Sequence, residues 1–437
     1  MMPVSAMPAK KASKTGNIAC IILAAGRGTR MKSSLPKVLH TISGKTMIEH
    51  MLGLVKPFNF RPTVVVTGYG AREVARCAEG AVLVRQRRLL GSADAVKQVK
   101  SLLTKKGSVA SRGDVLILYG DTPLIRKETL RRLIERQRSS GAACTLLTAR
   151  LSNPTGYGRI LRDSDGSVTR IAEEKDASAY EKAINEVNIG VYCFDVRHLF
   201  DAIQAVRSEN KKREYYLTDV ISILRHRCLP VETVCTDDEE EAIGVNSKRN
   251  LARVEDIIRR RAINRFLLAG ITIEDPRTTH ISGDCVIGKD TVIRAFTLIE
   301  GDVKIGSGCV IGPFARLRSG TKLSDGVEIG NFVEITRSSV GARTKIKHHS
   351  YIGDSVIGKD VNIGAGTITA NYDGRKKNRT VIKDGVFVGS GTVFVAPVTV
   401  GKNAVTGAGC VVTRNTAVPN NAVMVGVPAR LLRRKKT

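Results

Sequence analysis

Two different periods of apolar residues divide the chain. In the first half, short apolar runs alternate with helical stretches. Ile18 to Leu23 reads as a buried strand, with further strands at Thr63 to Thr67, 81–85 and Val115 to Tyr119, and helices near 71–78 and 92–103. Strands alternating with helices predict an α/β unit whose mainly parallel sheet takes ligands at the carboxyl ends of its strands. From Ile281 the period becomes six. Ile281, Ile287, Ile293, Ile299, Ile305, Ile311, Leu317, Leu323, Ile329 and Ile335 recur without a miss, and small or β-branched residues follow four positions later. This predicts a parallel β-helix of hexapeptide repeats, with the apolar residues filling a triangular core. One-residue slips precede Val340 and Ile357, and the polar segment Ile368 to Thr380 interrupts the coil before the period resumes at Ile382. Between the halves, Leu251, Val254, Ile258, Ala262 and Phe266 form one helical stripe, with Ser247 as a cap and Gly270 as a stop. The predicted organisation is a disordered basic extension at 1–16, an α/β domain at 17–246, a connecting helix at 247–270, a β-helix at 271–429 and a basic tail at 430–437.

Composition narrows the function classes. No apolar run approaches the eighteen or so residues of a membrane span, and MMPVSAMPAKKASKTGN has no apolar stretch of a secretory signal, so a cytoplasmic protein without membrane insertion is expected. Nine cysteines stand singly with no CxxC pair, which points to reduced, packed thiols rather than zinc or disulfides. The formal net charge of +29 would attract polyanions or phosphorylated substrates. Aromatic residues are only 4% of the chain and tryptophan is absent, which argues against base-stacking platforms and a specific nucleic-acid partner. Arg259, Arg260 and Arg261, and the tail RLLRRKK, read as solvated charge.

The candidate chemistry sits where the apolar runs break. Ile18 to Leu23 ends in Ala24-Ala25-Gly26-Arg27-Gly28-Thr29-Arg30, a turn whose glycines let backbone N–H groups approach an anion, with Arg30 and Lys37 as cations. It matches neither GxxxxGK[ST] nor GxGxxG. Tyr119-Gly120-Asp121 ends an apolar strand, which puts a carboxylate at the mouth of the sheet, where it can hold Mg²⁺. In the coil, His348 and His349 are adjacent, so strand alternation lets at most one face a given site, where an imidazole can take a proton from an amine.

The strings LAAGRGTRM and LPKVL resemble the sugar-1-phosphate nucleotidylyltransferases. With Gln86, Gly91-Ser92, YGD, NPTGYGRI, IAEEKD, EVNIG and GVN, the first half resembles the bacterial bifunctional N-acetylglucosamine-1-phosphate uridylyltransferase/glucosamine-1-phosphate acetyltransferase family. The strings GPFARLRSG, GNFVE, HHSYIGD, VNIGAGTITANYDG and VFVGS resemble its second half, so the resemblance runs from Ile18 to Pro428. It implies that Leu23, Ala24, Ala25, Gly26, Gln86, Gly91, Ser92, Tyr119 and Gly120 bind the uridine nucleotide and that Lys37 and Arg30 act on its phosphates. Asp121 and Asn246 would hold Mg²⁺, and Gly158, Glu173 and Asn188 the amino-sugar phosphate. In the coil it implies His348 as general base, Arg318 and Tyr351 on the sugar phosphate and Asn362 on the sugar. Ala365, Asn371, Tyr372, Ser390 and Ala408 would hold acetyl-CoA.

The resemblance further implies a left-handed, trimeric prism whose interrupting loop reaches a neighbouring subunit. The implied activity is N-acetylation of glucosamine-1-phosphate by acetyl-CoA, then uridylyl transfer from UTP, giving UDP-N-acetylglucosamine for peptidoglycan and lipopolysaccharide precursors. Two rivals remain: a monofunctional nucleotidylyltransferase with the prism as a trimerising scaffold, and a polyanion-binding structural protein. The chain departs from the family at Asp94, where a histidine is usual, at Thr336, where a lysine is usual, and at Gly426, where an arginine is usual; its prism is also shorter by about two coils.

Overall fold

The computed structural model describes residues 18–105 and 113–431. The basic extension expected at 1–16 and all of the tail beyond Leu431 lie outside the described residues. The chain divides into two units, Met1–Val254 and Glu255–Thr437.

The first unit is built on a twisted sheet. Its strands are β1 (Ile18–Ala24), β2 (Thr63–Thr67), β3 (Val82–Arg85), β4 (Asp114–Tyr119), β5 (Cys144–Arg150), β6 (Arg159–Arg162), β7 (Val168–Ala172), β8 (Glu186–Asp195) and β9 (Val231–Thr236). Their order is β9-β5-β8-β4-β1-β2-β3, with the β6–β7 hairpin pairing to β8. β1 is parallel to both β2 and β4, whereas β8 runs antiparallel between β4 and β5. Every residue of β1 is buried, as a strand covered on both faces requires. The register pairs Ala24 with Thr67 and Leu23 with Tyr119, so the carboxyl ends of β1, β2 and β4 open on one edge. β3 is the sheet edge, and Val82 and Leu83 are accordingly exposed. The helix expected over 92–103 is two helices, Ser92–Lys97 and Lys100–Thr104. The Val99 N–H closes on the Val96 carbonyl, three residues back instead of four, and this tightened turn breaks the rod.

Lys248–Leu268 is one helix, and its Ala262, Ile263 and Phe266 join the apolar core of the coil that follows. That coil is a left-handed parallel β-helix of three parallel sheets. Register partners lie eighteen residues apart where Ile293 stacks under Ile311 and Ile311 under Ile329. They lie seventeen apart where Ile329 meets Ile346, which is the slip that the sequence shows before Val340. Ile293, Ile311, Ile329, Ile346 and Ile363 thereby form one buried column. One corner carries Phe296, Phe314, Phe332 and His349 at φ +58°, +55°, +55° and +44°. The three phenyl rings stack at centroid spacings of 4.8 and 5.3 Å, and the His349 ring tilts against Phe332 at 5.0 Å. After the last coil, Arg430–Leu431 turns back and pairs antiparallel with Val423–Val425.

Candidate active sites

In the first unit, sequence positions far apart meet at the open edge of the sheet. Leu23, Ala24, Ala25, Gly26, Lys37, Gln86, Gly91, Ser92, Tyr119 and Asp121 line one cleft of about 440 Å³. An adjoining cavity of about 380 Å³ is lined by Arg30, Gly158, Glu173, Asn188 and Asn246, with Tyr119 and Asp121 as the shared wall. Gly120 lines neither; its N–H donates to the Leu23 carbonyl and ties β4 to β1. Of the two loop glycines, Gly26 has open space where a Cβ would stand. Gly28, at φ +67°, would place one 2.6 Å from the Lys37 Cβ. Its smallness thus lets the lysine pass beneath the turn. Gly91, at φ +118°, lies against the Tyr215 carbonyl, 2.4 Å from the position of an added Cβ.

Lys37 is the hub. Its ammonium pairs with Asp121 and donates to Asn246 Oδ1 at 2.9 Å, and Arg30 donates to the same Oδ1 at 2.8 Å. Two oxygens and two cations therefore converge where the two cavities meet. In the second cavity Glu173 accepts from the Thr218 hydroxyl at 3.0 Å, and burial raises its pKa. Asp219, close by, is pushed up to about 6 by burial and by the charges of Glu173 and Asp176. Asn188 donates to the Tyr192 hydroxyl at 2.6 Å and accepts from the Gly190 N–H, which fixes its side chain at the cavity wall.

In the coil, His348 ends the strand Lys345–His348 and His349 occupies the left-handed corner against Phe332, so the two imidazoles part. His348 Nδ1 lies 3.0 Å from Asn331 Oδ1, its register partner one coil below. An amide oxygen only accepts, so this contact places the ring proton on Nδ1 and leaves the Nε2 lone pair free for a proton.

A column climbs the same corner. The Gly366 N–H donates to the His348 carbonyl, Gly391 N–H to the Ala365 carbonyl at 2.7 Å, and Gly409 N–H to the Ser390 carbonyl at 2.8 Å. Ala365, Ser390 and Ala408 thus rise in successive coils above His348. Asn362 is half-buried on the face that carries His348.

Across the corner, Arg318 donates to Glu334 at 2.9 Å, and Glu334 is the register partner of Tyr351. Asn371 is buried and donates to Asp354, whereas Tyr372 is exposed and its hydroxyl donates to Gly374. The interrupting loop is tied by Asp373, which accepts from the Arg375 and Lys376 N–H groups, from Asn378 and from Arg414.

Strand alternation alone directs Arg337 away from Thr336, but the structure turns it back. Arg337 has φ +47°, at the slip, and donates to the Thr336 hydroxyl at 3.0 Å while gripping Asp354 with two bonds of 2.7 and 2.8 Å. That guanidinium holds the Asp354 carboxyl below its usual range. A cation therefore stands beside Thr336, the position at which a lysine is expected. Asn331 and Asp354 lie within GNFVE and HHSYIGD without a role of their own in the sequence pattern, although the spacing of one seventeen-residue coil places Asn331 beside His348.

A mostly parallel α/β sheet with a glycine turn at the mouth of its cleft, continued by a hexapeptide coil that carries His348 at one corner, defines a nucleotidyltransferase joined to a hexapeptide-type transferase. Family models agree: a MobA-like NTP transferase domain matches residues 20–220, a GMPPB C-terminal domain 275–372, and bacterial transferase hexapeptide repeats 379–414. The chain is 42% identical to the bifunctional protein GlmU of Shouchella clausii, over 93% of this chain and 95% of that one. It is 44% identical to that of Pelotomaculum thermopropionicum, over 87% and 90%. The chain belongs to the GlmU family of bifunctional proteins.

Proposed function

We infer that the protein makes UDP-N-acetylglucosamine in two steps on two sites, acetylating glucosamine-1-phosphate and then transferring a uridylyl group to the product. The observation that carries the uridylyl step is the convergence of Lys37, Arg30, Asp121 and Asn246 between two adjoining cavities. The nucleotide occupies the Leu23–Gly28 cleft and the sugar phosphate the Glu173–Asn188 cavity. A phosphate oxygen of the sugar attacks the α-phosphorus of UTP, the bond to the β-phosphate oxygen breaks, and pyrophosphate leaves. Lys37 and Arg30 neutralise the charge that gathers on the phosphoryl oxygens, so catalysis is positioning and electrostatics with no covalent enzyme intermediate.

Mg²⁺ fits the donor set here. Asp121 and Asn246 both aim oxygens at one cation, Lys37, and hard oxygen ligands with substrate phosphates completing the shell suit Mg²⁺, which would supply further charge neutralisation.

In the coil, His348 Nε2 takes a proton as the sugar amine attacks the acetyl thioester; the C–N bond forms, the C–S bond breaks and CoA thiolate leaves, to be protonated. Arg318, Tyr351 and Arg337 hold the sugar phosphate and Asn362 the sugar. Ala365, Asn371, Tyr372, Ser390 and Ala408 hold acetyl-CoA along the corner column. The coil assembles as a homotrimer, and the enzyme works in the cytoplasm, where UTP and acetyl-CoA are available. Among the described residues no helix is long and apolar enough to cross a membrane. Assaying pyrophosphate release from UTP and CoA release from acetyl-CoA separately on the purified protein tests this reading. Loss of either activity in the wild type would leave only the other half standing.

A further inference from the structure

Where the family usually carries histidine, this chain carries Asp94, and the residue has a defined partner. Gln86 is 4% exposed and forms part of the nucleotide cleft. Its Nε2 donates to Asp94 Oδ2 at 2.7 Å and to the Gly91 carbonyl at 3.0 Å. The other carboxylate oxygen, Oδ1, accepts from Gln98 Nε2 at 3.2 Å, which braces Asp94 from the far side.

A carboxylate accepts and does not donate, whereas a histidine ring can do either. The amide end of Gln86 is therefore the end that faces Asp94, and both of its N–H groups are engaged. What remains for a ligand is the Oε1 acceptor. Uracil offers an N–H at ring position 3. Cytosine offers a lone pair at the same position, which would oppose Oε1.

We propose that Asp94 is a positioning residue that locks Gln86 as an acceptor, so that the cleft selects a pyrimidine carrying a ring N–H, uracil over cytosine. This rests on the uridylyl-transfer reading for its biological use, but not for its test, because base preference is a binding property. Leaving a buried acceptor facing a lone pair costs about 1–3 kcal/mol, so a UTP preference of about 5- to 150-fold over CTP is expected of the wild type.

The experiment measures UTP and CTP dissociation constants by calorimetry with the full-length wild type, Asp94→Leu, Asp94→Asn, Gln86→Leu and the double variant Gln86→Leu/Asp94→Leu, with thermal melts as the folding control. Asp94→Leu frees the Gln86 amide to turn, and the UTP/CTP ratio should fall about tenfold, chiefly through tighter CTP binding. Asp94→Asn, close in shape, should lower the ratio less, because its own amide can also turn, and it carries the test if the leucine variant does not fold. In the Gln86→Leu background, Asp94→Leu should leave the ratio unchanged. An unaltered ratio in folded Asp94→Leu or Asp94→Asn, or an equal effect of Asp94→Leu without Gln86, overturns the proposal. Pyrophosphate release by the wild type is measured alongside, and its absence with a normal binding ratio would overturn the uridylyl reading alone.

Discussion

Leu23, Gln86 and Tyr119 come from distant stretches and line one cleft because β1, β3 and β4 end on one edge, and Asn246, in the loop before the long helix, joins them through Lys37. Asn331, His348, Ala365, Ser390 and Ala408 instead climb one corner, a coil at a time. In the sheet, each group is carried by its own turn, so damage at one turn is local. In the coil, every group inherits its place from the register beneath it, so one slip re-aims what lies above, as Arg337 shows. A sheet edge gathers chemistry by topology and a coil by count.

The sharpest way to break this comparison is to disable one site and read the other. Lys37→Ala and Asp121→Ala should each cut pyrophosphate release by about 10²–10³-fold or more, the scale for losing one preorganised electrostatic group, while CoA release stays unchanged. His348→Ala should cut CoA release by about 10²–10⁴-fold and spare pyrophosphate release. A variant that loses both activities while remaining folded would show that the two units do not act separately.

Next come the groups at the slip. Arg337→Ala should raise the Michaelis constant for glucosamine-1-phosphate by about 5- to 150-fold, as expected for losing about 1–3 kcal/mol from a charged hydrogen bond, with kcat little changed. Adding Thr336→Lys to it should recover most of the loss. Steady-state kinetics on the single and double variants decide this, and an unchanged constant in Arg337→Ala would remove it from the phosphate site.

A smaller effect is expected at Gly91. Gly91→Ala must relieve both the positive φ and the clash with the Tyr215 carbonyl. It should destabilise the sheet unit by about 1–3 kcal/mol and weaken UTP binding, with the CoA-release rate as an internal control.

The smallest is a pH slope. Asp219 has its pKa raised from 3.8 to about 6 in the folded state, so the folded chain holds a proton there that the unfolded chain has released. Stability from this group is therefore lost as pH rises from about 4 to about 6, and Asp219→Asn should flatten that limb of a Tm-against-pH curve. A slope unchanged in the asparagine variant would assign it to other groups.

Much of this was legible from residues alone. The six-residue period from Ile281 gives the coil, including its slips, because each apolar residue must reach one narrow core. The apolar run Ile18 to Leu23 with its glycine turn gives the first strand and the cleft. The broken helix at Val99 was not legible, since helical periodicity carries across a single tightened turn. Nor was the reason for Gly28, whose neighbour Lys37 is brought beneath it only by folding. Asp94 is visible in the sequence as a departure from a pattern, but its acceptance of a bond from Gln86 is a matter of side-chain reach that spacing does not encode.

The returning strand Arg430–Leu431 bears on polymerisation. A stack of identical rungs has no intrinsic last member, and its final rung is a template for another chain's backbone. Here Arg430–Leu431 covers the end of one face with a strand of opposite polarity, which cannot continue a parallel ladder. The segment before it closes a second face, because Val411 donates to the Gly426 carbonyl and accepts from the Ala429 N–H. Cutting the chain before Gly426 would uncover both of these faces and leave their backbone groups open to another chain's strand.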